Sequence, residues 1–282
     1  MSNSKLKIAA TGIDGLVGSR IYELLKDEFE FISFSQNIMD ITDREKVFST
    51  LNDVDYDIML HLAAYTNVDG AELNQSLAWR INVEGTKNVY EATINKKKHF
   101  LYISTDFVFD GEKTPFFENS VPHPLSFYGK TKWEAEKIIG ENGMIVRISY
   151  PYRARFEAKN DIVRSIINSL KDEKPISAVT DQIVTLTFID DIAYCLKHLL
   201  NNFSTGIFHI VGVDSLSAYD AVLKICDTFN FDKSKVLKTT YDEFYKDRAL
   251  RPRNGIIKSN RNNFFSMKTL EQGLIEIKQQ IS

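Results

Sequence analysis

The 282-residue chain carries only two cysteines, Cys195 and Cys226, each in an apolar stretch with helical spacing. That rules out a disulfide-built scaffold and reads as two buried thiols rather than a bridge or a nucleophile. Its five histidines show no ligand spacing. His61, directly before Leu62-Ala63-Ala64, reads as a packing residue at a strand end, so no protein-built metal site is expected. No apolar run approaches the length of a membrane span, and residues 1–5 lead into a strand without a signal-peptide core. The expected location is the cytoplasm. A net charge of -3 lacks the basic excess of a general nucleic-acid binder, and Lys96-Lys97-Lys98 reads as a solvated helix end. Internal repeats and low-complexity linkers are absent.

The rest is an ordinary globular composition, 43% hydrophobic and 26% charged, in which short apolar runs alternate with helical stretches. That alternation predicts a parallel sheet covered by helices on both faces. Strands are expected at residues 7–11, 30–34, 58–62, 99–104, 144–148 and 207–211, and long helices at 73–94 and 130–140. The first strand runs into Thr11-Gly12-Ile13-Asp14-Gly15-Leu16-Val17-Gly18 and then an amphipathic helix. In such a turn Gly12 permits the tight reversal, Gly15 lets backbone N–H groups approach a pyrophosphate, and Gly18 lets the helix pack on the strand. The helix N-terminus then favours the negative charge.

Farther on, Tyr128 and Lys132 in Ser126-Phe127-Tyr128-Gly129-Lys130-Thr131-Lys132 stand one helical turn apart, on one face. A phenol with an ordinary pKa near 10 is a poor acid-base group at neutral pH, and an ammonium beside it favours the phenolate. Tyr128 thus reads as a proton donor and Lys132 as its tuner. The run Phe100-Leu101-Tyr102-Ile103 ends at Ser104-Thr105-Asp106, where a strand end delivers the Thr105 hydroxyl to the same crevice.

These features resemble the extended short-chain dehydrogenase/reductase superfamily, and within it the dTDP-4-dehydrorhamnose reductase family. The likeness is carried by His61-Leu62-Ala63-Ala64-Tyr65-Thr66-Asn67-Val68-Asp69-Gly70-Ala71-Glu72, by Tyr102 through Gly111, by Tyr128-Gly129-Lys130-Thr131-Lys132 and by Arg251-Pro252-Arg253-Asn254. It implies a Rossmann-type doubly wound α/β sheet with a smaller, interleaved substrate lobe. Residues 1–151 with 176–211 would bind NAD(P), and 152–175 with 212–282 the substrate. The implied reaction is NAD(P)H-dependent reduction of the C4 ketone of a nucleotide-linked deoxysugar. Tyr128 would give the proton, Lys132 would also hold the nicotinamide ribose, and Thr105 would hydrogen-bond the carbonyl.

By the same resemblance Gly12, Asp14, Gly15, Leu16, Val17, Ser35, Asp40, Ile41, Ala63, Ala64 and Tyr65 border the cofactor, with Tyr128 and Lys132. Asn67, Val68, Thr105, Asp106 and Phe107 border the substrate. Arg251 and Arg253 are candidates for its pyrophosphate, because a guanidinium binds oxygens in pairs. Ser33-Phe34-Ser35-Gln36 has no acidic residue to take a ribose 2′-hydroxyl, which favours NADP with NAD left open. The expected partner is the sugar nucleotide, with a homodimer as a further option. Sugar-nucleotide dehydratases carry Asp-Glu after the catalytic threonine, whereas Asp106 here is followed by Phe107, which argues against elimination of water. The chain departs from the family at Ile183-Val184-Thr185-Leu186-Thr187 and at Arg147-Ile148-Ser149-Tyr150, both expected beside cofactor or substrate. Two other readings share the motifs: a dinucleotide-binding regulatory subunit similar to that of methionine adenosyltransferase, and a nucleotide-sugar 4-epimerase.

Overall fold

The computed structural model describes residues 5–281; residues 1–4, which include most of the stretch read as leading into the first strand, and residue 282 lie outside the described residues. Six strands form one sheet with all neighbouring pairs parallel. They are β1 (Lys7–Thr11), β2 (Glu30–Phe34), β3 (Ile58–His61), β4 (His99–Thr105), β5 (Met144–Ile148) and, much later, β10 (Gly206–His209). Four short strands between them lie elsewhere: β6 (Pro151–Tyr152), β7 (Ile176–Val179), β8 (Ile183–Val184) and β9 (Thr187–Phe188). Two more follow, β11 (Leu216–Ser217) and β12 (Val236–Thr239).

In space the large sheet reads β10-β5-β4-β3-β1-β2. The chain therefore starts inside the sheet, moves outward to β2 and returns to β3. The strand order reverses between β1 and β3, and in such sheets a ligand crevice lies outside the carboxyl ends of the strands at that point.

The strands read as near-continuous apolar runs because both faces are covered. Alternate residues serve opposite cores. Ile8, Ala10, Leu60, Leu101 and Val146 pack with α1 (Leu16–Leu25) and α8 (Ile189–Asn201). Ala9, Met59, Phe100, Tyr102 and Ile145 pack with α2 (Arg44–Asn52), α5 (Thr86–Asn95) and α6 (Phe127–Ile139). Helix α6 starts where the Ser126 side chain accepts a hydrogen bond from the Gly129 N–H at 3.1 Å, a normal N-cap.

The segment 73–94, expected as one helix, is broken into several pieces. Helix α3 (Val68–Leu73) gives way to α4 (Gln75–Trp79), then to a wide turn at Arg80–Gly85, and only then to α5. The wide turn places Asn82 inward. Its Oδ1 accepts from the Tyr65 N–H at 2.7 Å, and its Nδ2 donates to the Tyr65 carbonyl and the Thr131 hydroxyl. One amide thus ties the loop after β3 to α6, and an insertion of this kind interrupts the regular ladder.

The smaller assembly holds α7 (Ile162–Lys171), α9 (Ala218–Phe229) and α11 (Leu270–Ile281) around Tyr152, Val163, Ile167, Leu186, Ile225 and Leu274, and α10 (Tyr241–Phe244), which packs against Val179 of β7. Of the segment 176–211, β7 pairs with β12 outside the main sheet, whereas α8 and β10 return to it. No helix among the described residues is long and apolar enough to cross a membrane.

Candidate active site

The Gly12–Gly18 turn sits at the carboxyl end of β1, at the switch point. Gly12 has φ +67°, and a Cβ there would lie 2.5 Å from the Ala63 nitrogen. At Gly18 a Cβ would lie 2.5 Å from the Gly12 carbonyl oxygen. Both positions are closed by the protein's own backbone. Gly15 differs, since a Cβ there meets only the Gly12 oxygen, at 3.2 Å. It is also the N-cap of α1 and carries no capping side chain, so the first N–H groups of that helix are left for another acceptor.

Around the turn, Asp14 is exposed, and Leu16 and Val17 pack against the core of that face. Ala63 donates to Thr11 Oγ1 at 3.4 Å, and Ala64 and Tyr65 continue the loop beside it. Ser35 is half-buried after β2, Asp40 Oδ1 accepts from the Thr42 N–H and hydroxyl, and Ile41 is buried. The residues expected at the cofactor thus ring the carboxyl ends of β1, β2 and β3.

Thr105, Tyr128 and Lys132 meet at the carboxyl end of β4, all buried. Thr105 ends the strand and caps a single 3-10 turn, accepting from the Phe107 N–H at 3.2 Å. The Phe107 ring lies edge-on to Tyr128 at 5.8 Å and near Tyr150 at 5.7 Å. Lys132 Nζ donates to the Ile103 carbonyl at 2.8 Å and sits 4.1 Å above the Tyr102 ring. Burial lowers the Lys132 pKa to about 7, against the pull of the Glu136 carboxylate.

Burial also raises the Tyr128 phenol above its usual range, and the Asp106 charge adds to this, while a hydrogen bond with Thr105 opposes it. Lys132 was expected to lower Tyr128. Here burial dominates the phenol and moves it the other way.

Several residues not predicted as site residues support the cluster. His61 is fully buried, its two ring nitrogens reaching Thr11 Oγ1 at 2.6 Å and Thr86 Oγ1 at 3.0 Å, and it stacks on Tyr102. Burial holds its pKa down at about 3, so it stays neutral. Glu136 forms a two-pronged pair with Arg147 at 3.0 and 2.6 Å. Ser149 donates to Asp106 at 2.7 Å. Tyr150 adopts φ +38°, a conformation a non-glycine residue rarely takes.

Asn67 is exposed and caps α3 through its side chain, and Val68 packs beside Phe107 and Tyr128. The two arginines separate. Arg251 holds Asp69 through both oxygens at 3.1 Å, lies over Tyr245, and acts electrostatically on Tyr150. Arg253 is half-exposed and engages Asp242 and Asp181. A cavity of about 230 Å³ between α7, β7 and α9 has Tyr150, Gln182 and Tyr245 in its wall.

Comparison with known proteins agrees with this geometry. The family model described as the RmlD substrate binding domain matches residues 6–279. A dTDP-4-dehydrorhamnose reductase of Aggregatibacter actinomycetemcomitans is 32% identical over 233 residues, 78% of each chain. The crystal structure of a dTDP-4-dehydrorhamnose reductase from Bacillus anthracis in complex with NADP superposes with a TM-score of 0.91 at 30% identity, covering 98% of this chain and 99% of that one. Bovine methionine adenosyltransferase 2 subunit beta is 27% identical over 275 residues, 90% of this chain and 81% of that protein. The chain therefore belongs to the RmlD substrate-binding-domain family of NAD(P)-dependent reductases, within the extended short-chain dehydrogenase/reductase superfamily.

Proposed function

We propose that the protein reduces the C4 ketone of a nucleotide-linked deoxysugar, converting dTDP-4-dehydrorhamnose to dTDP-rhamnose, with NADPH as reductant. The observation that carries this reading is the buried meeting of Thr105, Tyr128 and Lys132 at the strand ends, beside a glycine turn. The residues fit a dinucleotide: the turn is open at Gly15, the α1 N-terminus has no capping side chain, and the Lys132 ammonium keeps N–H groups beyond the one given to Ile103. The dinucleotide, when bound, supplies the hydride.

The chain's own task is orientation and charge. A ketone under reduction builds negative charge on its oxygen, and a preplaced O–H stabilises that charge while giving its proton. Tyr128 holds that proton: burial and Asp106 keep the phenol protonated throughout the neutral range. Lys132, whose pKa burial lowers to about 7 while Glu136 favours the charged form, would hold the nicotinamide ribose. Ser35, with no carboxylate at the end of β2, admits a 2′-phosphate, and the NADP-bound relative from Bacillus anthracis supports that choice.

The Gly15→Val variant should keep its fold by circular dichroism and lose dinucleotide binding by calorimetry. Unchanged binding would remove the turn from the site.

At the nucleotide end Arg251 is favoured over Arg253, since it is the less exposed of the two and lies over Tyr245, in the wall of the cavity that also holds Tyr150. Remote binding energy helps orient the reacting carbonyl. A free 6-deoxy-4-keto sugar should accordingly show a far lower kcat/KM than its dTDP-linked form, and Arg251→Ala should narrow the gap by weakening the linked substrate. Equal constants in the wild type would leave a general carbonyl reductase. The relatives named as methionine adenosyltransferase subunits keep a binding role as the second reading; it predicts dinucleotide binding without turnover on any 4-keto sugar nucleotide.

A further inference from the structure

We infer that Asp106 is a positioning residue that takes the only hydroxyl proton of Thr105, so that Tyr128 is left as the single O–H donor for the ketone. The argument is a count of donors. A threonine hydroxyl has one proton and two lone pairs. The Thr105 proton goes to Asp106 Oδ1 at 3.1 Å, and one lone pair accepts the Phe107 N–H at 3.2 Å. This amends the expectation that Thr105 donates to the carbonyl: with Asp106 ionised, it has no proton left to give.

The far side of the carboxylate is held as firmly. Ser149, fully buried, donates to Asp106 Oδ2 at 2.7 Å, so both carboxylate oxygens are filled from opposite directions. Among the described residues Asp106 has no ion-pair partner. From α6 it faces Tyr128, and from the turn after β5 it faces Tyr150, both neutral phenols near pH 7. Two cations of the site have other partners: Lys132 binds the Ile103 carbonyl, and Arg251 binds Asp69. Asp106 is 4% exposed. Burial therefore pushes it up to about 6, while the Ser149 and Thr105 hydroxyls pull it down. Protonation there releases the Thr105 proton, which then becomes a second O–H donor beside Tyr128.

The test has a spectroscopic arm and a kinetic arm, and only the second rests on the reductase reading. In the full-length protein, pH-dependent infrared difference spectra should show one buried carboxyl titrating near pH 6, missing in Asp106→Asn. Thr105→Val should move that titration upward by about one pH unit, the size of a lost hydrogen bond to a charged group. An unmoved titration in Thr105→Val would show that Thr105 gives its proton elsewhere and would overturn the inference. Should Asp106→Asn fail to fold, Ser149→Ala supplies the assignment, because it too should raise the same titration.

In the kinetic arm, with NADPH and dTDP-4-dehydrorhamnose, wild-type kcat should fall below the Asp106 titration. In Ser149→Ala that acid limb should shift upward with the infrared signal. A limb that stays in place in Ser149→Ala would equally overturn the assignment, since a merely structural carboxylate moves no pH profile. Absence of turnover in the wild type would defeat the reductase reading alone and leave the infrared arm to decide.

Discussion

Tyr128→Phe should bind the dinucleotide as tightly as the parent and reduce its ketone about 10²- to 10⁴-fold more slowly, the usual worth of a positioned acid. The change removes one oxygen. The ring remains, and with it the edge-on contact to Phe107 at 5.8 Å and the packing with Ala71 and Ala78, so fold and cofactor site should survive. The loss should fall on kcat, because the proton is transferred only in the chemical step. Steady-state kinetics beside calorimetric titration with NADPH separates the two effects, and near-parental kcat would remove Tyr128 from the role of donor.

The second large effect is on stability. Glu136 and Arg147 are 5% and 1% exposed, and their paired hydrogen bonds join α6 to β5 directly behind Lys132. Removing one partner of a buried pair strands the other charge in an apolar setting, at a cost of roughly 3–5 kcal/mol. Glu136→Ala should therefore lower Tm by roughly 10 °C for a domain of this size. The double change Glu136→Met with Arg147→Met should be much milder, since no unpaired charge is left. Thermal unfolding of the three proteins checks this; a single variant as stable as the double one would mean that the pair is not what holds α6 to β5. Glu136→Ala also removes the carboxylate that favours the charged form of Lys132, so structural and catalytic effects meet on one helix face.

The main strands were readable because a parallel strand covered on both sides is an apolar run of fixed length, as in β1, β3 and β4. The glycine turn was readable because its spacing is a steric requirement: Gly12 and Gly18 meet backbone within 2.5 Å of a would-be Cβ. Tyr128 and Lys132 were readable because helical periodicity alone puts them on one face.

What escaped depends on partners distant in sequence. The break in residues 73–94 exists so that Asn82 can reach Tyr65 and Thr131, and nothing in the local periodicity encodes those bonds. Ser149 reaches Asp106 across 43 positions, and Glu136 finds Arg147 only because α6 lies over β5. The proposed influence of Lys132 on Tyr128 came from spacing alone, which is blind to burial. Only the assembled fold shows the Tyr128 phenol buried, with the ammonium at the Ile103 carbonyl and over the Tyr102 ring.

The most direct test of the account is to supply C4-deuterated NADPH, labelled in turn on each face of the nicotinamide, with dTDP-4-dehydrorhamnose and to examine the sugar by mass spectrometry and NMR. The account predicts one deuterium at C4 of the reduced sugar from one labelled face only, with loss of an equal amount of reduced dinucleotide. Tight binding of NADPH with no deuterium in the sugar would contradict it and identify the protein as a dinucleotide-binding subunit.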